Sequence, residues 1–153
     1  MTIIASLLRA VELPESPAAR LEIELLLAAA LGKSRSYLHT WPERIVPSEA
    51  ATAFAAFIRR RQAGEPVAYI LGQQGFWKLD LEVAAHTLIP RPETELLVEA
   101  AVQLLPTHSA RVLDLGTGSG AIALAMAHEC SAWQVTAVDR VAEAVALAER
   151  NRG

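Results

Sequence analysis

The stretch from Val112 to Arg150 sets most of what this chain can become. It reads strand (Val112 to Leu115), helix (Ala121 to Glu129), strand (Gln134 to Val138) and helix (from about Ala142 to Arg150), with glycines between the first strand and the first helix. Two strands separated by a helix cannot close as a tight hairpin. They lie parallel through a right-handed crossover, with helices over the faces of the sheet. The expected class is α/β, and this segment is the opening of a doubly wound sheet whose remaining strands are not in the chain.

Upstream the periodicity is different. Ser16 and Pro17 offer an N-cap and a first helical position, Ala18 to Leu31 is rich in helix formers, and Gly32 suits the left-handed residue after a helix end. Pro42 and Pro47 break the next stretch. From Ser48, Ala51, Phe54, Phe57 and Ile58 recur at helical spacing toward Arg59, Arg60 and Arg61, with Gly64 and Pro66 as stops. The first 64 residues therefore read as an N-terminal helical bundle. Beyond Glu65, Leu79, Leu81 and Val83 alternate with Asp80 and Glu82, the period of a strand with one buried face, which predicts a β-hairpin. A helix is expected from about Pro92 to Leu105, with Leu96, Leu97, Ala100, Ala101, Leu104 and Leu105 as its packing stripe. The domain plan is a helical unit over 1–72, a hairpin linker over 73–90 and a partial α/β domain over 91–153.

Composition narrows the partners. Of 153 residues, 52% are hydrophobic and 20% charged, which supports a packed core. Net charge is -3; residues 1–72 hold eight basic and seven acidic side chains, and residues 73–153 hold six and ten. That is too near neutral for a surface gripping phosphates throughout, so no direct nucleic acid contact is expected. The run Arg59 to Arg61 reads as a solvated last turn, where cations favour the helix dipole. The longest apolar run, Leu25 to Leu31, is seven residues, against the roughly 20 needed to cross a bilayer, so no membrane partner is expected. The apolar start lacks a basic n-region and meets Arg9 and Glu12 too early for a signal peptide, which points to a cytoplasmic protein. The single cysteine, Cys130, and the scattered His39, His86, His108 and His128 offer neither a disulfide nor metal-ligand spacing, so metal ligands are read as none. Trp41, Trp77 and Trp133 are read as core or edge aromatics.

Chemistry concentrates in Asp114-Leu115-Gly116-Thr117-Gly118-Ser119-Gly120, between a strand and a helix. Glycines there let the backbone approach a ligand without a Cβ clash. Asp139 ends the next strand, 23 residues after Gly116, where a carboxylate can accept both hydroxyls of a ribose. A dinucleotide loop reads G-x-G-x-x-G; this one reads G-x-G-x-G, which disfavours a nicotinamide dehydrogenase. With Asp114 before the first glycine, the pattern D-x-G-x-G-x-G resembles motif I of the class I methyltransferases. That resemblance implies S-adenosyl-L-methionine as cofactor and a Rossmann-like sheet. Gly116, Thr117, Gly118, Ser119 and Gly120 would lie beside the methionine moiety and sugar, Asp114 would shape the loop, and Asp139 would orient the ribose.

A second segment, Leu88-Ile89-Pro90-Arg91-Pro92-Glu93-Thr94-Glu95, is a rigid corner in which two prolines fix φ and Pro92 suits a first helical turn. Together with Gly64-Glu65-Pro66, Leu71-Gly72, Phe76-Trp77 and Val112 to Ala125, it resembles the HemK/PrmC family, the glutamine-N5 methyltransferases of peptide-chain release factors. The resemblance spans about residues 60–150. It implies methyl transfer to the glutamine amide in the Gly-Gly-Gln loop of a class-1 peptide chain release factor, with the helical unit docking that protein. In the family an Asn-Pro-Pro-Tyr motif holds the amide. Here the one asparagine is Asn151, and none of the eight prolines follows asparagine or proline, so catalytic residues are read as none in this chain. The expectation is an N-terminal portion, inactive alone, with weak or no cofactor affinity and an apolar sheet face left open. The alternative is a non-catalytic module that docks a release factor or ribosomal partner.

Overall fold

A computed structural model describes residues 2–153, which divide into two units, 2–71 and 72–153. The first is helical throughout: α1 (Ile4–Ala10), α2 (Ala19–Leu31), α3 (Arg35–Thr40), α4 (Ser48–Gln62) and α5 (Val67–Leu71). Its core is built from Ile4, Leu26, Leu27, Leu38, Phe54 and Ile58, all buried. The end of α2 follows the expected chemistry: Gly32, at φ 61°, donates its N–H back to the carbonyls of Ala28 and Ala29. Its start does not. The helix begins at Ala19, because Ser16 Oγ accepts the Ala18 N–H at 3.1 Å and closes a local turn instead of capping the helix. The short α5 has no counterpart in the sequence reading, since five residues between Pro66 and Gly72 are too few to show a period.

The arginine run forms the last turn of α4, as expected. Arg60 places Nε and Nη2 on the two oxygens of Glu65 at 2.7 and 2.6 Å, and Arg61 grips Glu22 of α2 at 2.9 Å, so two of the three cations are paired. A stronger constraint lies between α2 and α3. The Glu24 side chain is 4% exposed, and its carboxylate accepts from Arg20 at 2.7 Å, Arg35 at 2.8 Å and His39 at 3.2 Å. Burial raises its pKa, but the hydrogen bonds from Arg35, Arg20 and His39 outweigh that and leave it below the usual 4.5.

The second unit starts with the hairpin β1 (Gln73–Phe76) and β2 (Leu79–Glu82), antiparallel with Phe76 opposite Leu79. Phe76 and Leu81 are buried against Val98, Ala125 and Trp133, so the segment expected as a linker shares the core of this unit. A 3-10 turn at Pro92–Thr94 leads into α6 (Glu95–Leu104). Then come β3 (Arg111–Leu115), α7 (Ala121–Glu129), β4 (Gln134–Val138) and α8 (Ala142–Arg152). The strands β3 and β4 are parallel, with Arg111 opposite Gln134 and Leu115 opposite Val138. This is the α/β order expected.

Among the described residues one face of the sheet is covered by helices and the other is open, as expected. Val112 and Val135 pack toward α6 and α7, whereas Leu113 and Leu115 are 57% and 74% exposed and Val138 is 41% exposed. Of the stripe expected on α6, only Ala101 packs into the core. The helix buries Val98 and packs Ala101 and Val102 into the core, while Leu96, Leu97 and Leu104 are exposed. Apolar residues sit on two faces of α6, and periodicity alone cannot say which face finds a partner. Among the described residues no helix is long and apolar enough to cross a membrane.

Replacing Glu24 with alanine strands half-exposed cations over an apolar floor and is expected to destabilise the first unit by about 2 kcal/mol near neutral pH, read by urea unfolding. Because the folded pKa lies below the unfolded value, this contribution is present above about 4.5 and fades as pH falls through the folded value. The difference between wild type and variant should therefore shrink in acid.

Candidate functional site

Parallel pairing brings the C-terminal ends of β3 and β4 side by side, and the loop after β3 is hooked onto its neighbour. The N–H groups of Gly116 and Thr117 both donate to the carbonyl of Val138, at 2.8 and 3.0 Å. Past that point the chain alternates through left-handed glycines: Gly116 at φ 79°, Gly118 at 57° and Gly120 at 85°. L-residues rarely hold that conformation, which accounts for glycine at each.

The three glycines do different work. A Cβ built on Gly116 or Gly118 would meet nothing within 4 Å, so the bare backbone there faces open space. A Cβ on Gly120 would lie 3.1 Å from Leu124 Cδ1 and 3.2 Å from the Ala148 Cβ. Gly120 lets α7 and α8 approach, and Gly116 and Gly118 leave room beside the loop.

The carboxylates expected at the site are both at the loop. Asp114 Oδ2 accepts the Thr117 hydroxyl at 2.7 Å, which ties the strand end to the turn. Asp139 Oδ1 accepts from the Val141 N–H at 3.0 Å and Oδ2 from the Gly118 N–H at 2.9 Å. These backbone donors, Val141 first and Gly118 second, hold the Asp139 carboxyl below its ordinary 3.8. Each carboxylate oxygen has a further lone pair, so Asp139 can pin the loop and still accept from a ligand. Thr117 and Ser119 are buried.

A cavity in this unit touches the loop at Thr117 and Gly120. It has a volume of about 240 Å³ and lies between α7, β4 and α8, lined by Thr117, Gly120, Leu124, Ala137, Val145 and Ala148 among others. Asp139, Gly116 and Gly118 do not line it, whereas the charged Glu149 and Arg152 of α8 do. Among the described residues no group of three or more His, Cys, Asp or Glu side chains is placed to hold a metal.

Sequence reasoning missed Asn151. From α8 its Oδ1 accepts the Glu82 N–H at 2.7 Å, and its Nδ2 donates to the Glu82 carbonyl at 3.0 Å and to the Ser119 carbonyl at 2.9 Å. The one signal available was an amide side chain amid the apolar and charged residues of a helix, which marks a polar contact without naming its partner. Trp77, read from the sequence only as a core or edge aromatic, has a conformation that reading did not include. It occupies the left-handed region at φ 57°, held there by N–H donation to Glu95 at 2.8 Å and indole donation to Glu129 at 2.7 Å.

A βαβ unit with a glycine turn beside a strand-end carboxylate defines an α/β domain. Residues 92–153 match the methyltransferase small domain and residues 5–72 the PrmC N-terminal domain. The release factor glutamine methyltransferase of Pseudomonas aeruginosa is 70% identical over 152 residues, covering 99% of this chain and 55% of that protein. Enzymes of the same name from Shewanella oneidensis and Escherichia coli are 54% and 44% identical, over 90% and 92% of this chain and 48% and 50% of their own lengths. The chain belongs to the release factor glutamine methyltransferase (HemK/PrmC) family, and it spans about half the length of the curated relatives it matches.

Gly120→Ala combines a strained φ with overpacking against α8 and should cost about 3 kcal/mol, whereas Gly116→Ala, with open space beside it, should cost about 1 kcal/mol from the backbone alone. Chemical denaturation of the two variants checks the difference. Asp139→Asn removes one of two acceptors, and amide exchange at Gly118 should speed by roughly tenfold.

Proposed function

We propose that residues 91–153 form the cofactor-binding part of an S-adenosyl-L-methionine-dependent methyltransferase whose substrate is the glutamine side-chain amide in the Gly-Gly-Gln loop of a class-1 peptide chain release factor. The observation that carries this reading is the Asp139 carboxylate 2.9 Å from the Gly118 N–H, beside a glycine backbone that faces open space. Gly116 and Gly118 offer bare backbone to the methionine moiety and sugar. Asp139 accepts from the ribose hydroxyls, and Asp114, through Thr117, keeps the turn in shape. Thr117, Ser119 and Gly120 complete the loop from its buried side. The residues present suit this cofactor because it carries no phosphate and needs no cationic cradle.

The cofactor, when bound, supplies a methyl group on an electrophilic sulfonium. An amide nitrogen has a delocalised lone pair and is a weak nucleophile, so rate comes from holding it in line and from hydrogen bonds that favour the rehybridised nitrogen. No Asn-Pro-Pro-Tyr segment occurs in these 153 residues, and the residues assigned here serve cofactor and partner binding. Residues 1–72 are assigned to docking the release factor, residues 73–90 to the hairpin that precedes the catalytic half, and the reaction to the cytoplasm. The second reading is a non-catalytic module that docks a release factor or ribosomal partner.

The test is a titration of the 153-residue chain with S-adenosyl-L-methionine, followed by nuclear magnetic resonance. Shifts should concentrate at Gly116, Gly118 and Val141 with affinity weaker than micromolar. Shifts with NAD in place of S-adenosyl-L-methionine would overturn the cofactor assignment. Incubation with release factor and labelled cofactor should give binding without methyl transfer; transfer by this chain alone would overturn the docking-module reading.

A further inference from the structure

Asn151 lies outside every motif singled out in the sequence, yet its amide makes three hydrogen bonds to backbone atoms 69 and 32 residues away. In the hairpin, Gln73 faces Glu82, and the Val83 N–H donates to the Gly72 carbonyl. In an antiparallel ladder, hydrogen-bonded pairs alternate with pairs whose backbone groups point outward, so the Glu82 N–H and carbonyl point away from β1. Asn151 meets both, as a third strand would. Its second N–H goes to the carbonyl of Ser119, a buried residue just before the start of α7. That carbonyl precedes the helix and has no place in its ladder. The Asn151 amide therefore fixes the peptide plane between Ser119 and Gly120, which sets the direction in which the loop leaves Gly118.

We propose that Asn151 is a positioning residue for the adenosyl site: it clamps the glycine loop to the edge of the hairpin and holds Gly116 to Gly120 in the shape that receives the ligand. This rests on the reading of that loop as the cofactor site. The adjacent Arg150 offers an internal comparison. Its Nε contacts Glu82 Oε2 at 3.0 Å, so it joins the same helix to the same strand, but both side chains are half exposed and neither touches the loop. An exposed pair of this kind contributes little.

The experiment compares the wild-type chain with Asn151→Asp, Asn151→Gln and Arg150→Gln. Amide hydrogen exchange is read at the loop and in the core, and S-adenosylhomocysteine affinity is read by nuclear magnetic resonance titration. Asn151→Asp turns a donor into an acceptor facing two carbonyls. It should speed exchange at Gly118 and Gly120 at least tenfold and weaken ligand affinity about tenfold, with Ala125 and Met126 still protected. Asn151→Gln keeps the amide on a longer arm and should fall between; it also serves if the aspartate variant unfolds. Arg150→Gln should stay within about twofold of wild type on both readings. Wild-type loop exchange in both Asn151 variants would overturn the clamp, as would an Arg150→Gln effect equal to theirs. A looser loop in a chain whose wild type ignores S-adenosylhomocysteine would overturn the cofactor reading, and with it the role assigned to Asn151.

Discussion

The parallel register of β3 and β4 is the constraint on which the second unit depends. With Leu115 opposite Val138, the two strands end at the same level, and one carbonyl, that of Val138, receives two N–H groups from the neighbouring loop. A slip of β4 by one residue would send the inward Val135 to the open face and carry Asp139 away from Gly118. The site therefore follows from strand alignment before any side chain acts. The glycines, the carboxylate and the asparagine then secure a loop whose position is already given.

Two carboxylates organise the two units by opposite means. Glu24 is buried and answered by three cationic or ionisable side chains, an arrangement that joins α2 to α3 and leaves no acceptor facing outward. Asp139 is partly exposed and answered by backbone N–H groups alone, which keeps its charge while leaving lone pairs toward solvent. The first suits a fixed scaffold, the second a ligand site. Burial and the source of the donors separate the roles, where residue type and proximity to a helix would not.

Much of this was legible in the sequence. The order of β3, α7, β4 and α8 could be read because each segment has its own period and glycine marks the turn. Gly32 and Asp114 could be read because local chemistry decides them. What failed was decided by distant partners. The apolar residues of α6 occupy two faces, and only the packing of α7 selects Val98, Ala101 and Val102. Ser16 had two ways to satisfy a backbone donor two residues on, and the local turn prevailed. Arg60 and Arg61 found Glu65 and Glu22, the latter 39 residues away. Asn151 reaches two backbone segments that no spacing rule connects to it.

The placement of the three indoles gives the protein its own optical readout. Trp41, 42% exposed beside Arg44, lies in the first unit, while Trp133 is buried with its Nε1 on the Pro106 carbonyl, and Trp77 is tethered at the hairpin tip. A water-facing ring emits at longer wavelength than a buried one. The red edge of the spectrum thus follows the helical half and the blue edge the α/β half, so melting of each can be followed without adding a dye.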